Sequence, residues 1–194
     1  PSDGGYGTVE SKSSNTACAL PFKVGDANTD SETSILDVTL IVDFILEEAT
    51  PSSVAFNNSD INMDDELNIA DVVMVVDIIS GTPAGRSSNL GSFASLELRS
   101  NYTSSDLIFN ISYDGALKGL EFDITYDPKN VTLGVPSLIV LQDNVVSTFR
   151  EIDEGLIKVI LFDVNGGFIL SNENHDLLRM SYDFLGSVLD QSNV

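Results

Sequence analysis

The spacing of apolar residues changes part-way along this chain, from a helical pattern to an alternating one. Between residues 24 and 81, apolar side chains return every three or four positions in two runs, which predicts helices over 35–48 and 69–79. Gly81 follows the second run, with a proline beyond it, and indicates the end of that helix. From residue 91 onward apolar and polar residues alternate, as they do in half-buried β-strands. The pattern therefore predicts a small helical module followed by an all-β region.

The all-β region is predicted to contain several short strands. Turn signals, Asp114-Gly115 and Asp127-Pro128, follow two of them. Short strands separated in this way are typical of a β-sandwich. The predicted strands cover residues 93–98, 107–113, 120–126, 156–162 and 177–184.

Shifts in composition divide the chain into four parts. Residues 1–22 are rich in Gly, Ser and Thr and are predicted to form a flexible leader. The helical module covers residues 23–81, a linker rich in Gly, Ser and Pro covers 82–90, and the β-sandwich covers 91–194. We expect so short a linker to disfavour self-closure, in which the helical module of a chain would bind its own sandwich as it would bind that of another copy.

Both predicted helices are apolar on more than one face. A module of two helices cannot bury all of that surface internally, so the surplus should contact something else. We interpret it as an interface for another protein. The alternative is packing against the chain's own β-sandwich.

The charge of the chain narrows its partners. Its formal net charge is −21, and residues 24–85 hold 13 Asp and Glu but no Lys or Arg. Nucleic-acid binding depends on Lys and Arg that neutralise phosphates, so a nucleic acid is excluded as a partner, and an anionic membrane is excluded for the same reason. Such an acidic segment repels itself unless cations bind to it.

Two segments of the helical module repeat one pattern of oxygen-bearing side chains, 34 residues apart. Each is a twelve-residue loop with such side chains at its first, third, fifth and twelfth places. That spacing suits Ca²⁺, which binds about six to eight oxygens, so two calcium ions are predicted. The first set of ligands is Asp26, Asn28, Asp30, Asp37 and the carbonyl of Glu32, with Ser34 binding directly or through water; the second is Asp60, Asn62, Asp64, Asp71 and the carbonyl of Glu66, with Asn68 in the place of Ser34.

Two places of the loops depart from the usual calcium-binding pattern. The sixth place usually holds Gly because the backbone there has a positive φ, but this chain has Ser31 and Asp65. Asp tolerates that conformation better than Ser does, so the first site is expected to be the weaker. The twelfth place holds Asp in both loops, where an EF-hand usually has Glu.

Two loops that end in Asp and each lead into one helix resemble a dockerin. The opening Gly25-Asp26-Ala27-Asn28-Thr29-Asp30 matches the usual opening of that family, and the resemblance covers about 58 residues. It implies an EF-hand-type loop–helix pair that inserts into a cohesin domain when calcium is bound. Dockerins build extracellular assemblies such as cellulosomes in this way.

The resemblance also implies which positions contact the partner. Dockerins often have Ser or Thr at the tenth and eleventh places of each loop, and Lys or Arg further along the helix. This polar recognition pattern is absent here, so the resemblance does not indicate which cohesin the module would bind. The corresponding residues of this chain are Ile35, Leu36 and Val42 in the first copy and Ile69, Ala70 and Val76 in the second.

The β region resembles a cohesin, an immunoglobulin-like sandwich. The segment from Gly119 through Phe122 to Tyr126-Asp127-Pro128 follows a run typical of cohesin strands. The region spans roughly 104 residues, which is shorter than most cohesins. Either it is a compact variant or another segment supplies a strand, such as the leader of a neighbouring copy.

Nothing in the sequence indicates catalysis. The single histidine, His175, lies in a predicted loop, and the single cysteine, Cys18, has no partner for an internal disulfide. The fold class that we predict is therefore multidomain: a small α module of the dockerin type and an all-β sandwich of the immunoglobulin or cohesin type.

The function predicted from these patterns is non-catalytic, extracellular, calcium-dependent assembly. Since the dockerin-like module and the cohesin-like sandwich lie on one chain, the module of one copy could bind the sandwich of the next, and copies could associate head to tail into a filament. Two alternatives stay open. The chain could be an adaptor between a separate cohesin and a separate dockerin, or its sandwich could bind carbohydrate. The absence of Trp disfavours carbohydrate, because sugars often stack on aromatic side chains.

Overall fold

The computed structural model describes residues 22–81, 94–101, 104–113, 115–139, 143–171 and 175–185. The described residues form three helices and ten strands. The predicted leader (apart from Phe22), the predicted linker and Asp114 lie outside them.

The helical module begins its two long helices at the predicted residues. The helices α1 (Ile35–Ile45) and α3 (Ile69–Ser80) both have a capping box, with N-caps Ser34 and Asn68. A capping box satisfies backbone N–H groups that the first turn leaves free, which explains why both helices start where the loops end. The helix α1 ends three residues earlier than predicted, and Glu47 just beyond it has a φ of 57°.

A short helix between the two loops is absent from the sequence-based prediction. The helix α2 covers Ser53–Ser59, and the Ser52 side chain caps it by accepting a hydrogen bond from the N–H of Ala55. Its sequence is mostly polar and short, so it has no apolar periodicity from which it could have been predicted.

The strands of the β region form two main sheets and one short pair. In the larger sheet the strand order is β1-β2-β10-β5, and β6 also pairs with β10. The smaller sheet has the order β4-β8-β7, and β3 pairs with β9. The strands are β1 (Ala94–Asn101), β2 (Asp106–Tyr113), β3 (Ala116–Leu117), β4 (Gly119–Thr125), β5 (Val131–Leu133), β6 (Ser137–Leu138), β7 (Val145–Asp153), β8 (Leu156–Asp163), β9 (Leu170–Ser171) and β10 (His175–Phe184).

The two main sheets pack face to face, which confirms the predicted β-sandwich. Their shared core contains Phe109 and Ile111 from β2, Val159 and Leu161 from β8, and Met180 from β10. Successive side chains of a strand point to opposite faces, so these residues occupy the inner faces of the two sheets.

The outer face of the smaller sheet is covered by the helices of the same chain. Ile160 and Phe162, on the opposite face of β8 from Val159 and Leu161, belong to one apolar cluster with Val38, Ile41, Ile45, Val72 and Val75. The surplus apolar surface of the helices thus contacts the chain's own sandwich, which is the alternative rather than the preferred interpretation from sequence.

Candidate functional site

The first carboxylate of each loop holds the loop backbone in the same way. Asp26 accepts hydrogen bonds from the N–H of Asp30 and the N–H of Ser31, both at 3.0 Å. In the second loop Asp60 accepts from the residues at the same two places, at 3.2 and 3.0 Å. Both carboxylates are buried. Each copy therefore winds around its own first residue.

The backbone of the two loops has the same unusual conformation. The fourth and sixth places have positive φ in both copies: 61° at Thr29 and 73° at Ser31, then 60° at Met63 and 66° at Asp65. The positive φ that the calcium-loop pattern requires at the sixth place is present, although neither residue is Gly. Positive φ costs free energy for residues other than Gly, so the rest of each loop must stabilise this conformation.

The last carboxylate of each loop ties the beginning of the loop to the helix that follows. Asp37 accepts from the N–H of Asn28 at 3.0 Å and from the N–H of Ser34 at 2.8 Å. Asp71 accepts from the N–H of Ile61 at 2.8 Å and from the N–H of Asn68 at 3.1 Å. Both side chains are fully buried.

The pKa of Asp71 lies above its ordinary value of 3.8. Burial is the main cause, backbone N–H donors oppose it, and the charge of Asp60 adds to it. The ionised carboxylate is therefore disfavoured where it stands, and a nearby positive charge would relieve that.

The predicted ligands in the middle of each loop contact one another, and all but the half-buried Asn28 are exposed. The side-chain amide of Asn28 donates to Asp30 at 2.9 Å, and that of Asn62 donates to Asp64 at 2.7 Å. The N–H of the seventh place, Glu32 or Glu66, donates to the aspartate at the fifth.

Ser34 and Asn68, predicted as direct or water-mediated ligands, serve as helix N-caps in the structure. The hydroxyl oxygen of Ser34 accepts from the N–H of Leu36 at 3.2 Å, and the amide oxygen of Asn68 accepts from the N–H of Ala70 at 2.8 Å. An oxygen in this position satisfies a free N–H at the start of the helix.

The oxygen donors of each loop are of the chemical kind that a hard cation binds. A carboxylate oxygen has two lone pairs, so it can accept an N–H and also bind a cation. Carboxylate, amide and carbonyl oxygens are the ligands that Ca²⁺ prefers. Within the described part of the chain, however, no three or more Asp, Glu, His or Cys side chains converge as a metal-binding group.

Asn58 joins the two loops and was not identified from the sequence. It is buried, its side-chain amide donates to the carbonyl of Asp26 at 2.8 Å, and its own carbonyl accepts from the N–H of Gly25 at 2.7 Å. A polar residue two positions before the second loop gives no periodic signal. Its role depends on the spatial proximity of the two copies, which one sequence does not reveal.

The residues that the dockerin resemblance implies for partner binding separate into two groups. Ile35 and Leu36 are 47% and 64% exposed, and Ala70 is also exposed. Val42 and Val76 are buried in the apolar cluster between helices and sheet. Ile69 is half-buried and packs beside Gly119 of β4. Of these six residues, Ile35, Leu36 and Ala70 are the exposed ones.

A groove of about 290 Å³ opens at one end of the sandwich. Its lining is mainly aliphatic and aromatic and includes Leu98, Phe109, Ile124, Val131 and Phe184. Among the described helices, none is both long enough and apolar enough to cross a membrane.

Three solved structures with similar folds contain cohesins. The cohesin module of a family 33 glycoside hydrolase from Clostridium perfringens is 13% identical, with a TM-score of 0.35, and the match covers 52% of this chain and 74% of that one. A type II cohesin–X–dockerin complex from Acetivibrio cellulolyticus matches at 11% identity and a TM-score of 0.34, over 50% and 78% of the two chains.

A further match is the second type II cohesin module of an adaptor scaffoldin from Acetivibrio cellulolyticus. It is 10% identical, with a TM-score of 0.30, over 50% of this chain and 72% of that one. At these TM-scores the likeness carries no inference about function. No protein-family model and no curated protein matches the chain.

Proposed function

We propose that this chain is a non-catalytic, extracellular assembly protein whose helical module binds two calcium ions and presents an apolar surface to a protein partner. The partner that the dockerin resemblance implies is a cohesin-like domain. An extracellular location suits the proposal because calcium is abundant outside cells, where weak to moderate sites are filled.

The observation that carries the proposal is the agreement between the two loops. Both have positive φ at the fourth and sixth places. In both, the first carboxylate accepts hydrogen bonds from the fifth and sixth places, and the last carboxylate accepts one from the ninth place. An Asx-rich turn explains one such loop. Two copies that repeat this much of the backbone frame support a shared ligand.

The residues of the chain divide the work of holding such an ion. Asp26 and Asp60 would bind it at the start of each loop, with Asn28, Asp30, Asn62 and Asp64 and the carbonyls of Glu32 and Glu66 further on. Asp37 and Asp71 would close each site from the first turn of the helix. When bound, calcium supplies positive charge that offsets the repulsion among these carboxylates.

The surface available to a partner lies at the start of the first helix. Ile35 and Leu36 are adjacent, apolar and exposed, and the last carboxylate of the first loop, Asp37, follows them directly. Ordering of that loop would therefore fix the direction in which both side chains point. Exposed apolar pairs of this kind favour association with another protein.

Head-to-tail association of copies is the second candidate. The sequence predicts it because a dockerin-like module and a cohesin-like sandwich lie on one chain. The inner faces of both helices, however, already pack on the chain's own sheet. Ile35, Leu36 and Ala70 stay exposed, so self-association could use the same residues as a partner in trans.

A calorimetric calcium titration of the purified chain tests the metal site. We expect two ions per chain, and we expect Asp26→Ala or Asp60→Ala to abolish one of them. Glu32→Gln is the matched control, because Glu32 is expected to bind through its backbone carbonyl and the substitution should leave two sites. A wild-type chain that binds no calcium contradicts the proposal.

Light scattering in calcium and then in excess EDTA tests self-association. Large species that dissociate in EDTA would favour head-to-tail assembly. A monomer in both conditions would favour a partner in trans, which a pull-down with a cohesin domain and a Leu36→Asp variant as control would then test.

A further inference from the structure

The second loop is attached to the β-sandwich at the point where it becomes a helix. The N–H of Ile69, the first residue of α3, donates to Oε2 of Glu121 on β4 at 3.0 Å. The other oxygen of Glu121 accepts from Nζ of Lys158 on β8 at 2.9 Å. The side chains of Glu121 and Lys158 are only 16% and 18% exposed.

The electrostatics of this attachment are favourable. A negative charge at a helix N-terminus is stabilised by the free N–H groups there. Lys158 neutralises Glu121, which would otherwise add a negative charge beside an acidic loop. Burial lowers the pKa of Lys158, but the hydrogen bond and charge of Glu121 and the charge of Asp123 outweigh it and raise the pKa above its ordinary value.

The backbone of β4 also approaches α3 closely at Gly119. A Cβ at this position would lie 2.7 Å from Cγ1 of Ile69 and 2.8 Å from Cγ2 of Val73. Further along the same helix, Nζ of Lys118 contacts a carboxylate oxygen of Asp77 at 2.6 Å. The helix that follows the second loop is thus held at its start and two turns later.

Within the described residues, the first loop has no corresponding attachment to the sandwich. Among the described residues, the hydrogen bond between α1 and the sandwich comes after the helix end, where Arg150 of β7 donates to the carbonyl of Leu46 at 2.7 Å. Leu46 is nine residues beyond Asp37, which corresponds to about 14 Å along a helix. No hydrogen bond or ion pair within the described chain joins residues 26–37 to a strand.

We propose that Glu121 is a positioning residue for the second calcium site, so that the sandwich sets the affinity of the second loop and not of the first. Ile69 stands between two predicted ligand positions, Asn68 and Asp71. By binding the N–H of Ile69, Glu121 fixes the first turn of α3 and with it the direction of Asp71. This inference rests on the proposed calcium-binding function and adds that the two sites are unequal.

The coupling acts in both directions. If the sandwich helps to order the second loop for calcium, calcium in that loop must stabilise the contact between α3 and β4 by the same free energy. The first loop should stabilise the chain on binding without this additional effect on the sheet.

The test is a calcium titration of Glu121→Ala in the full chain, in two backgrounds. In an Asp26→Ala background only the second site remains, and Glu121→Ala should weaken it about tenfold, since a hydrogen bond to a charged group is lost. In an Asp60→Ala background only the first site remains, and Glu121→Ala should change its affinity less than twofold, within the coupling of distant sites.

Two control variants separate positioning from general destabilisation. Glu121→Gln keeps an acceptor oxygen and should restore most of the affinity. Asp123→Ala removes a carboxylate from the same strand that contacts the same Lys158 at 3.7 Å, and it should leave both sites unchanged. Circular dichroism in EDTA confirms that each variant is folded before titration.

The outcomes are distinguishable. Equal weakening of both sites by Glu121→Ala, or of neither, overturns the inference and leaves the calcium-binding function intact. Absence of calcium binding in the wild-type chain overturns both.

Discussion

The two loop–helix copies have similar internal hydrogen bonds and backbone conformations, but they contact different surroundings. Their first carboxylates accept hydrogen bonds from the same two places, their last carboxylates both accept from the N–H of the ninth place, and their backbones have positive φ at the same two places. Their surroundings differ, because the second copy begins its helix against Glu121 and Gly119 of the sheet, while the first presents Ile35 and Leu36 to solvent. A duplicated sequence thus supplies two loops with one hydrogen-bonding pattern in two different surroundings.

Truncation of two neighbouring side chains on β8 distinguishes the helical layer from the sandwich core. Ile160 and Leu161 are adjacent on β8 and both fully buried, but Ile160 packs against the helices and Leu161 in the sandwich core. Truncation of either to Ala should lower the free energy of unfolding by about 2–5 kcal/mol. Only Ile160→Ala should also reduce the stabilisation that calcium gives, measured as the shift in Tm between calcium and EDTA. Equal reduction in both variants would contradict the comparison.

A smaller effect is expected at the close approach between β4 and α3. Gly119→Ala places a Cβ against Ile69 and Val73 and should destabilise the chain by about 1–3 kcal/mol, as overpacking does. Val73→Ala removes one of the two obstacles, so the double variant should recover part of the loss. A double-mutant cycle in urea measures this, and strict additivity of the two changes would show that they do not meet.

The sixth places of the loops allow the copies to be compared directly. Ser31 and Asp65 have positive φ, which Gly adopts without strain. Ser31→Gly should stabilise the chain by up to about 1 kcal/mol; the gain is limited because Gly is the more flexible residue in the unfolded chain. Asp65→Gly should stabilise the chain by less, because Asp tolerates this conformation better than Ser does. Chemical unfolding in EDTA checks the order, and a larger gain at Asp65 would contradict it.

The smallest effect concerns the charge of Lys158. The pKa of this group is raised above 10.5 in the folded chain, so its contribution is fully present below pH 10.5 and is lost as pH rises through the folded-state value. We expect the free energy of unfolding of the wild type to exceed that of Lys158→Met by about 0.5 kcal/mol at neutral pH, as for a partly exposed ion pair. The difference should shrink above pH 10.5 in urea unfolding, and a constant difference would contradict it.

Local features of this fold were predictable because their causes are local. Ser34 and Asn68 cap the two long helices at the predicted starts, since capping needs only a few consecutive residues. Five strands were predicted because alternation shows which residues share a face. The helix α2 and the strand β7 lack a clear pattern and were missed.

The packing of the helices on the sheet depends on what lies nearby in space. Alternation tells which face is apolar but not what covers it. One signal was nevertheless present in β8, where Val159, Ile160, Leu161 and Phe162 form a continuous apolar run. Such a run is typical of a strand buried on both faces, and it indicates a layer on each side. Asn58 and Glu121 are single polar residues whose partners are far away in sequence, and no pattern reveals them.

The helices pack on the outer face of the smaller sheet, so the helical module and the sandwich should unfold together. We would measure the unfolding of the full chain by scanning calorimetry, in calcium and in EDTA. We expect one unfolding transition whose midpoint falls when calcium is removed, because a ligand that binds the folded state stabilises everything that unfolds with it. Two separate transitions, or one whose midpoint is the same in both conditions, would contradict it.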